Sequence, residues 1–433
     1  RHGPRDRCDR GRVWRQLRQG LGGAPGGCGA LVSGLIAGIE ADLTALTAHP
    51  DRHVGGPGNR TATTHFAERA AALGWQVERT PFPCAEWEYG EASLQVGGNR
   101  FDLHVGPYSL PCSARVRLME AMDPADLETP AIADAVVLLH GPIAAHQVMP
   151  KEFPFYYPDE HRRIIDSLER YRPTAVIAAT GRDPEMVGSQ YPFPLFEDGN
   201  LDIPNVYLTD VDGERLRGFI GDLVRIRIDS RRLPATAEQV TATLPGDRPG
   251  RIVVTAHIDS RRGSPGALDN ATGVATLLAV GELLQGRGVG YTVELVPFNG
   301  EDDYAAPGEL VWLAANEGLM GDIVLAINID DLGWRGTENH VSFYSCPPEI
   351  EDVVRTAMTG HPRTTEGPQW FQSDHAIFGM HRRPAIALAC SDMAGFMAGY
   401  AHSERDTPDL ADPALVAEAA RFVRDVIAAL GEE

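Results

Sequence analysis

The sequence predicts a three-layer α/β/α domain built on a mixed, mostly parallel sheet and interrupted by an inserted β-rich domain. The first observation is a regular alternation of apolar runs and helical patterns after residue 233, which is typical of βαβ units. The second is a change of pattern over 84–232, where short β-runs are joined by proline-rich aromatic loops. Two helix-like segments, 31–48 and 61–73, precede this change. The chain is therefore expected to start its main domain, leave it for the insertion and return.

Four segments follow from this division. They are a poorly specified, Arg/Gly-rich leader at 1–28, the first part of the main domain at 29–83, the insertion at 84–232 and the larger part of the main domain at 233–433. The polar stretch RRLPATAEQ (231–239) is expected to separate the insertion from the main part.

Individual elements can be placed from their apolar patterns. Strands of the insertion are predicted at 135–139, 175–179, 203–208 and 223–228. Strands of the main sheet are predicted at 252–256, 292–298, 323–329 and 385–389. Apolar residues at helical spacing predict one helix over 274–284 and another over 415–430, and Asp412-Pro413 supplies a cap and a first-turn proline for the second.

Composition excludes several classes of protein. The formal charge of −21 argues against a nucleic-acid partner or an anionic membrane surface, since both attract positive patches. The six cysteines form no CxxC pair and are expected to be buried free thiols. The apolar run at 30–39 is too short for a membrane span or a convincing signal peptide. A cytoplasmic location is expected, with secretion left open because the N-terminus lacks an initiator Met; the oligomeric state is not predicted.

The chemistry collects where strands end. His257 and Asp259 follow one predicted strand, and two further groups of acidic residues follow the next two strands: Glu301, Asp302, Asp303, Asp330 and Asp331. Because open α/β sheets bind ligands beyond the carboxyl ends of their strands, these side chains should converge. Asp269 and His402 lie in loops that can reach the same rim.

Such an acidic cluster repels itself unless a cation is bound. Histidine and carboxylate ligands without thiolate suit zinc, with Mn²⁺ or Co²⁺ as alternatives. Three Asp and two His can hold two metals if one carboxylate bridges them. Asp269 is available for this because Asn270 or Thr272 can cap the following helix.

Six motifs, in this order, resemble the co-catalytic di-zinc exopeptidases, the family of bacterial leucyl aminopeptidases, aminopeptidase Y and glutamate carboxypeptidase II. They are AHIDS (256–260), PGALDNATGVATLL (265–278), FNGEDD (298–303), INIDDLG (327–333), SDHAIF (373–378) and HSERDTPD (402–409). The N-terminal HPDRHVGGPGNRTAT is similar to that family's opening segment. The resemblance implies a phosphorylase/hydrolase-like catalytic fold, and the insertion is similar in position to the family's protease-associated domain.

The resemblance also implies a role for each site residue. His257 and Asp330 would bind one zinc, Asp302 and His402 the other, and Asp269 would bridge the two. Asp259 would hydrogen-bond the imidazole of His257 and fix its tautomer. Glu301 would be the general base that activates a metal-bridged water to cleave a peptide.

Two positions depart from the family pattern. Asp302 stands where the family usually has Glu, which shortens this ligand by one methylene and puts its metal affinity in doubt. Asp331 stands where the family is usually apolar. A solvated or capping role is expected for it, with binding of a substrate's amino terminus as the alternative. Asp303, His375 and the Arg382-Arg383 pair are given ordinary structural or solvated roles, and Tyr400 is left without a role.

The favoured function is an aminopeptidase, because no basic group for a substrate carboxylate can be placed from sequence. The alternatives are a glutaminyl cyclase-like acyltransferase with one zinc and a receptor-like binding protein without catalysis. The aromatic loops FPFYYP (153–158) and YPFPLF (191–196) are expected to be core of the insertion rather than a lid over the site, since aromatic side chains chiefly supply buried area.

Overall fold

The computed structural model describes residues 25–151, 153–154, 156–303 and 305–432. Within these residues, thirteen strands form one continuous sheet in the order β1-β2-β6-β5-β4-β3-β7-β9-β8-β10-β13-β11-β12.

The bounds of the elements are as follows. The strands are β1 (Gln76–Val96), β2 (Asn99–Val105), β3 (Cys112–Ala121), β4 (Ala135–Leu139), β5 (Ala175–Thr180), β6 (Asn205–Thr209), β7 (Leu223–Leu244), β8 (Arg248–His257), β9 (Tyr291–Phe298), β10 (Ile323–Ile329), β11 (Asn339–Tyr344), β12 (Thr364–Glu366) and β13 (Ala385–Cys390). The α-helices are α1 (Pro25–Leu46), α2 (Pro57–Ala72), α3 (Asp159–Tyr171), α4 (Asp210–Arg217), α5 (Thr272–Leu284), α6 (Pro307–Ala315), α7 (Pro348–Met358), α8 (His375–Met380), α9 (Met393–Gly399) and α10 (Pro413–Glu432).

The main part of the chain, residues 29–83 and 233–433, has the predicted three layers. β9, β8, β10 and β13 lie side by side and pair in parallel, and their apolar residues are buried on both faces, as expected for a covered parallel sheet. Helices α1, α2, α5, α7 and α10 share one hydrophobic cluster with one face. The other face packs against α6 and α8 through Trp312 and Phe378. The antiparallel neighbours β7 and β11 make the sheet mixed.

The inserted segment, residues 84–232, begins within the long strand β1 and ends within the long strand β7. β1 and β7 pair antiparallel from Gln76 opposite Thr243 to Gln95 opposite Arg225. Beyond them, β3, β4, β5 and β6 pair in parallel, and two separate hydrophobic clusters fill this part of the chain.

RRLPATAEQ, where the pattern of the sequence changes, is not a break in the regular structure. This stretch is the middle of β7, and each of its residues has a partner in β1. Its polar side chains lie on a partly exposed two-stranded ribbon, so their polarity marks exposure of the strand and not a linker.

The predicted leader lies mostly outside the described residues, but its last four residues already belong to α1. The four cysteines whose side chains are described are free thiols. The stretch Ala267–Leu284 is long and apolar enough to cross a membrane by composition, yet 89% of it is buried inside the molecule. It is a core helix whose apolarity serves packing.

Candidate metal centre

Three neighbouring parallel strands carry most of the predicted site to one edge of the sheet. His257 is the last residue of β8, Asp330 follows β10, and Asp302 lies in the loop after β9. Because β9, β8 and β10 are adjacent and parallel, their carboxyl ends meet. The rule that predicted convergence from strand ends therefore describes where these three side chains lie.

Asp269 reaches the same place through an irregular turn. The turn Ala267–Ala271 starts after Gly266, whose φ is 59°. A Cβ on Gly266 would lie 2.4 Å from the carbonyl oxygen of Asp269, so this close approach requires glycine. The side chain of Asn270 accepts a hydrogen bond from the Gly273 N–H at 3.0 Å and donates to the Ile329 carbonyl at 2.8 Å. Asn270 thus caps α5 and leaves the carboxylate of Asp269 free.

The two oxygens of Asp269 face two different histidines. Oδ1 lies 3.0 Å from His257 Nε2, which is also 3.2 Å from Asp330 Oδ1. Oδ2 lies 3.2 Å from His402 Nε2, which is also 3.1 Å from Asp302 Oδ1. The five predicted ligands therefore form two groups that share one carboxylate.

Burial and the neighbouring charges shift the pKa values of this cluster in opposite directions. Burial lowers the pKa of His257, but Asp330 and its other acidic neighbours outweigh burial and hold that pKa well above its usual value. Burial likewise opposes the charge on His402, yet Asp302 and Asp269 raise its pKa to about 10. Burial alone would raise the pKa of Asp269, but His257 and His402 hold it well below its usual range.

This donor set fits divalent metal ions. The separations of 3.0–3.2 Å between donor atoms are close to the roughly 3.3 Å expected between two ligands of a tetrahedral zinc with bonds near 2.0–2.1 Å. Asp302 Oδ2 and the Nδ1 atoms of both histidines are buried and have no hydrogen-bond partner among the residues that the structure describes. Bound cations would satisfy the acidic oxygens and favour neutral imidazoles.

Asp259 makes its hydrogen bonds with a loop backbone, and not with the imidazole of His257 as predicted. Its carboxylate lies 3.6 Å from His257 Nδ1, which is too long for a hydrogen bond. It accepts instead from four consecutive backbone N–H groups, at 2.8–3.2 Å: Gly300, Glu301, Asp302 and Asp303. Asp259 therefore fixes the loop that presents Glu301 and Asp302.

Glu301 points into the central cavity. Burial raises its pKa well above the usual value, and the neighbouring charges of Asp302 and Asp330 act in the same direction, while His257 opposes them. A raised pKa makes this carboxylate a stronger proton acceptor than an ordinary glutamate, as a general base requires. Two fully buried acids, Glu309 and Asp374, lie behind it; burial raises the pKa of Glu309 to about 7.

Three supporting residues were missed from sequence. Asp406 accepts hydrogen bonds from the backbone N–H groups of Leu268 and Asp269 at 2.9 and 3.0 Å. Ser373 donates to Asp330 Oδ2 at 2.7 Å. Asp406 lies in the motif HSERDTPD and Ser373 in the motif SDHAIF. The motifs therefore included both residues but did not indicate what each one contacts.

The third is Arg52, in the N-terminal motif and fully buried. Its guanidinium donates to the carbonyls of Ile258 at 2.8 Å, Gly266 at 2.9 Å and Pro265. It therefore ties the loop after β8 to the turn that carries Asp269.

We expect Arg52→Met to destabilise the metal-free protein by at least about 3 kcal/mol, because several buried carbonyls lose a charged donor. Urea denaturation in the presence of a chelator would measure this. Arg100→Met, at an arginine with a half-exposed side chain, should change stability by no more than about 0.5 kcal/mol. Equal losses in the two variants would show that Arg52 has no special role.

Asp331 and Asp303, which were expected to be solvated, are both buried. A solvated role for Asp331 is wrong, because its side chain is 7% exposed and lines the cavity. Asp303 is also buried, and it accepts from the Val54 N–H at 2.9 Å and the Tyr108 hydroxyl at 3.2 Å. His375 is buried 2.7 Å from the Trp370 carbonyl, which suits its structural role. Tyr400 packs on Trp334.

The remaining pair is consistent with its expectation. Arg382 is exposed, and Arg383 donates to the Ile323 carbonyl at 2.9 Å.

The central cavity has a volume of about 1350 Å³ and is lined by both parts of the chain. Phe153 and Tyr156 line it, so the prediction that FPFYYP is core is wrong for these two residues. None of the described residues of this loop lies in a helix or strand, and Phe153 and Tyr156 lie against the cavity that both parts of the chain line. YPFPLF follows the prediction, since Phe193 and Phe196 lie in the core of the insertion.

An ion pair joins the two parts beside the predicted ligands. Arg261 contacts Glu197 of the inserted segment, and its Nε lies 3.9 Å from Asp302 Oδ1. Gln147, also of the inserted segment, donates to Glu197 at 2.8 Å. Among the described residues that line the cavity, Arg261 is the one Arg or Lys.

Histidines and carboxylates gathered at the strand ends of a three-layer α/β/α domain form a site whose donors suit divalent metal ions. The match to known families specifies it further, because residues 239–427 match the family described as Peptidase family M28. These residues include all five predicted ligands and Glu301. The resemblance stated from the motifs is confirmed, and the chain is a metallopeptidase of the hydrolase class.

Solved structures support the fold over most of the chain. The aminopeptidase from Aneurinibacillus sp. strain AM-1 superposes with a TM-score of 0.68 at 18% identity, covering 90% of this chain and 93% of that one. BSAP, a zinc aminopeptidase from Bacillus subtilis, gives 0.67 at 17% identity, covering 90% and 94%. A Peptidase M28 precursor from Shewanella amazonensis SB2B gives 0.66 at 15% identity, covering 93% and 96%.

At these identities the superpositions confirm the three-layer fold and do not transfer function. No curated protein matches the chain at a significant level.

Proposed function

We propose that this protein is a two-zinc aminopeptidase that removes N-terminal residues from peptides. In this proposal His257 and Asp330 hold one zinc, and Asp302 and His402 hold the other. Asp269 bridges them. The observation that carries the proposal is the division of the two Asp269 oxygens between the two histidines, at 3.0 and 3.2 Å. The choice of metal is supported by the structural similarity to BSAP, which is a zinc aminopeptidase.

When bound, the metals would polarise the scissile carbonyl and acidify a water molecule toward neutral pH. Glu301, held at the cavity by the backbone contacts of Asp259, takes the proton from that water on its carboxylate. The same carboxyl group then passes the proton to the leaving amine. Asp406 orients the bridging Asp269, and Ser373 orients Asp330.

The identity of the metal follows from the donors only in part. Histidine with carboxylates favours zinc, and Co²⁺ or Mn²⁺ could occupy the same donors. Among the proposed ligands, Asp302 has a side chain one methylene shorter than the Glu that the family usually has at this position. Its Oδ1 nevertheless lies 3.1 Å from His402 Nε2, and this separation supports a second metal at that position.

We extend the proposal to the division of the chain. Residues 84–232 would be a protease-associated-like domain inserted between 29–83 and 233–433. Their separate hydrophobic clusters support an independent unit. The cytoplasmic location stays a prediction.

The cavity favours an aminopeptidase over a carboxypeptidase. A carboxypeptidase needs a free cation for the substrate's terminal carboxylate, and the guanidinium of Arg261 is already in contact with Glu197. The presence of all five ligands and Glu301 in one cavity argues against a receptor that has lost its site. It also argues against a one-zinc cyclase.

The test is hydrolysis of matched peptides with free and acetylated N-termini, together with a glutaminyl peptide. The proposal predicts cleavage of the free peptides alone, and no pyroglutamate. Cleavage of the acetylated peptides, or cyclisation of the glutaminyl peptide, would contradict it.

A further inference from the structure

Asp331 is a buried acid that the proposed mechanism does not use. Its side chain is 7% exposed, and it lines the central cavity. Its Oδ1 is buried and has no hydrogen-bond partner among the described residues. Because an unpaired buried carboxylate is costly, such a group in a binding cavity indicates a cationic partner.

The backbone turns this side chain toward the site. Asp331 has a φ of 51°, in the left-handed region that few non-glycine residues adopt. Its N–H donates to Asp330 Oδ1 at 3.0 Å, and its carbonyl accepts from the Cys390 N–H at 2.9 Å. In an extended strand, consecutive side chains point to opposite faces. This turn lets Asp330 and Asp331 both reach the cavity.

Asp331 lies beside the proposed metals but outside their histidine pairs. One oxygen each of Asp269, Asp330 and Asp331 lie within 4.8 Å of one another. Neither His257 nor His402 has an ion-pair contact with Asp331, whereas each contacts two of the proposed ligands. The carboxylate is therefore close to the reaction centre and remains available for a ligand.

The chemistry of an N-terminal substrate supplies a cation at this distance. The α-nitrogen lies two bonds, about 2.5 Å, from the scissile carbonyl carbon. A lysine or arginine side chain places its charge several bonds further away. A group that Asp331 binds close to Asp269 and Asp330 fits the α-ammonium better than a side-chain cation.

We infer that Asp331 binds the free α-ammonium of the substrate and so selects unblocked N-termini. This inference rests on the proposed aminopeptidase function and names the residue that enforces it. A carboxylate accepts charge-assisted hydrogen bonds from an ammonium at about 2.7–2.9 Å. An acetylated N-terminus has no such charge and would leave Asp331 unpaired in the cavity.

The experiment compares zinc-loaded wild-type protein with Asp331→Asn, which keeps the shape and removes the charge. Calorimetry would measure the binding of L-leucinol and of 4-methyl-1-pentanol, which lacks the amine. Hydrolysis of leucyl and lysyl peptides and the zinc content of each variant would be measured in parallel. Glu317→Gln is the matched control, because it removes an exposed carboxylate that does not line the cavity.

Asp331→Asn should weaken L-leucinol binding and kcat/KM for both peptides by roughly 10- to 100-fold, the range for one charge-assisted hydrogen bond. Binding of 4-methyl-1-pentanol and the zinc content should not change, and Glu317→Gln should match wild type in each measurement.

Four results would overturn the inference: loss of zinc, equal weakening of both alcohols, a loss confined to the lysyl peptide, or unchanged hydrolysis by Asp331→Asn. If wild type cleaves no free peptide, the proposed function itself fails. If it cleaves them and Asp331→Asn does so equally well, only the inference fails.

Discussion

Replacing Glu301 by glutamine is expected to lower peptide hydrolysis by at least about a thousandfold while leaving the metal content unchanged. Glutamine keeps the shape of the side chain but cannot take up a proton, and general acid–base catalysis contributes typically 10²–10⁴-fold. Steady-state kinetics on a leucyl peptide and metal analysis of the same preparations would test this. Glu317→Gln, at an exposed acid of the same part of the chain, should behave as wild type.

The metal measurement separates a base from a ligand. Among the described residues, no histidine contacts Glu301 within ion-pair distance, while Asp302, its neighbour, lies 3.1 Å from His402. Metal lost together with activity in Glu301→Gln would therefore show that the roles of these two adjacent acids have been confused.

The second large effect is expected for Asp269→Asn. Asparagine can present one carbonyl oxygen, whereas the proposal needs an oxygen toward each histidine. Zinc affinity should fall at both positions by at least about a hundredfold, since even removal of a supporting group can cost 10–100-fold. Metal titration monitored by calorimetry would measure the two steps, and hydrolysis should disappear with them.

Asp406→Asn provides a graded comparison for that experiment. Burial, with the nearby charge of Asp269, raises the pKa of Asp406 to about 7, and its carboxyl group orients Asp269 through two backbone N–H groups. Its zinc affinity should lie between those of wild type and Asp269→Asn. If Asp269→Asn weakened only one binding step, Asp269 would serve one metal and the bridge would be wrong.

The sequence predicted the catalytic sheet and the convergence of the strand-end residues because both depend on local patterns. Fully buried parallel strands are apolar runs, as at Ile323–Ile329, and their carboxyl ends meet by topology. The roles of Arg52 and Asp406 depend on contacts between residues more than a hundred positions apart. No local pattern encodes which carbonyl or N–H such a side chain meets.

The continuity of β7 through RRLPATAEQ was missed for a related reason. A polar stretch can be a linker or an exposed strand, and only the pairing of β7 with β1 distinguishes them. Aromatic residues are ambiguous in the same way. Phe193 packs in the core of the insertion and Phe153 faces the cavity, although both lie in proline-rich loops. Whether such an aromatic side chain packs in the core or lines the cavity depends on the packing of the whole chain.

The central claim is that Asp269 bridges two metal ions. Anomalous diffraction at the zinc edge, from crystals of the zinc-loaded protein, tests it most directly. The account predicts two peaks about 3.5–4 Å apart, one beside His257 and Asp330 and the other beside His402 and Asp302, with Asp269 between them. A single peak at full zinc occupancy, or two peaks that do not share Asp269, would contradict it.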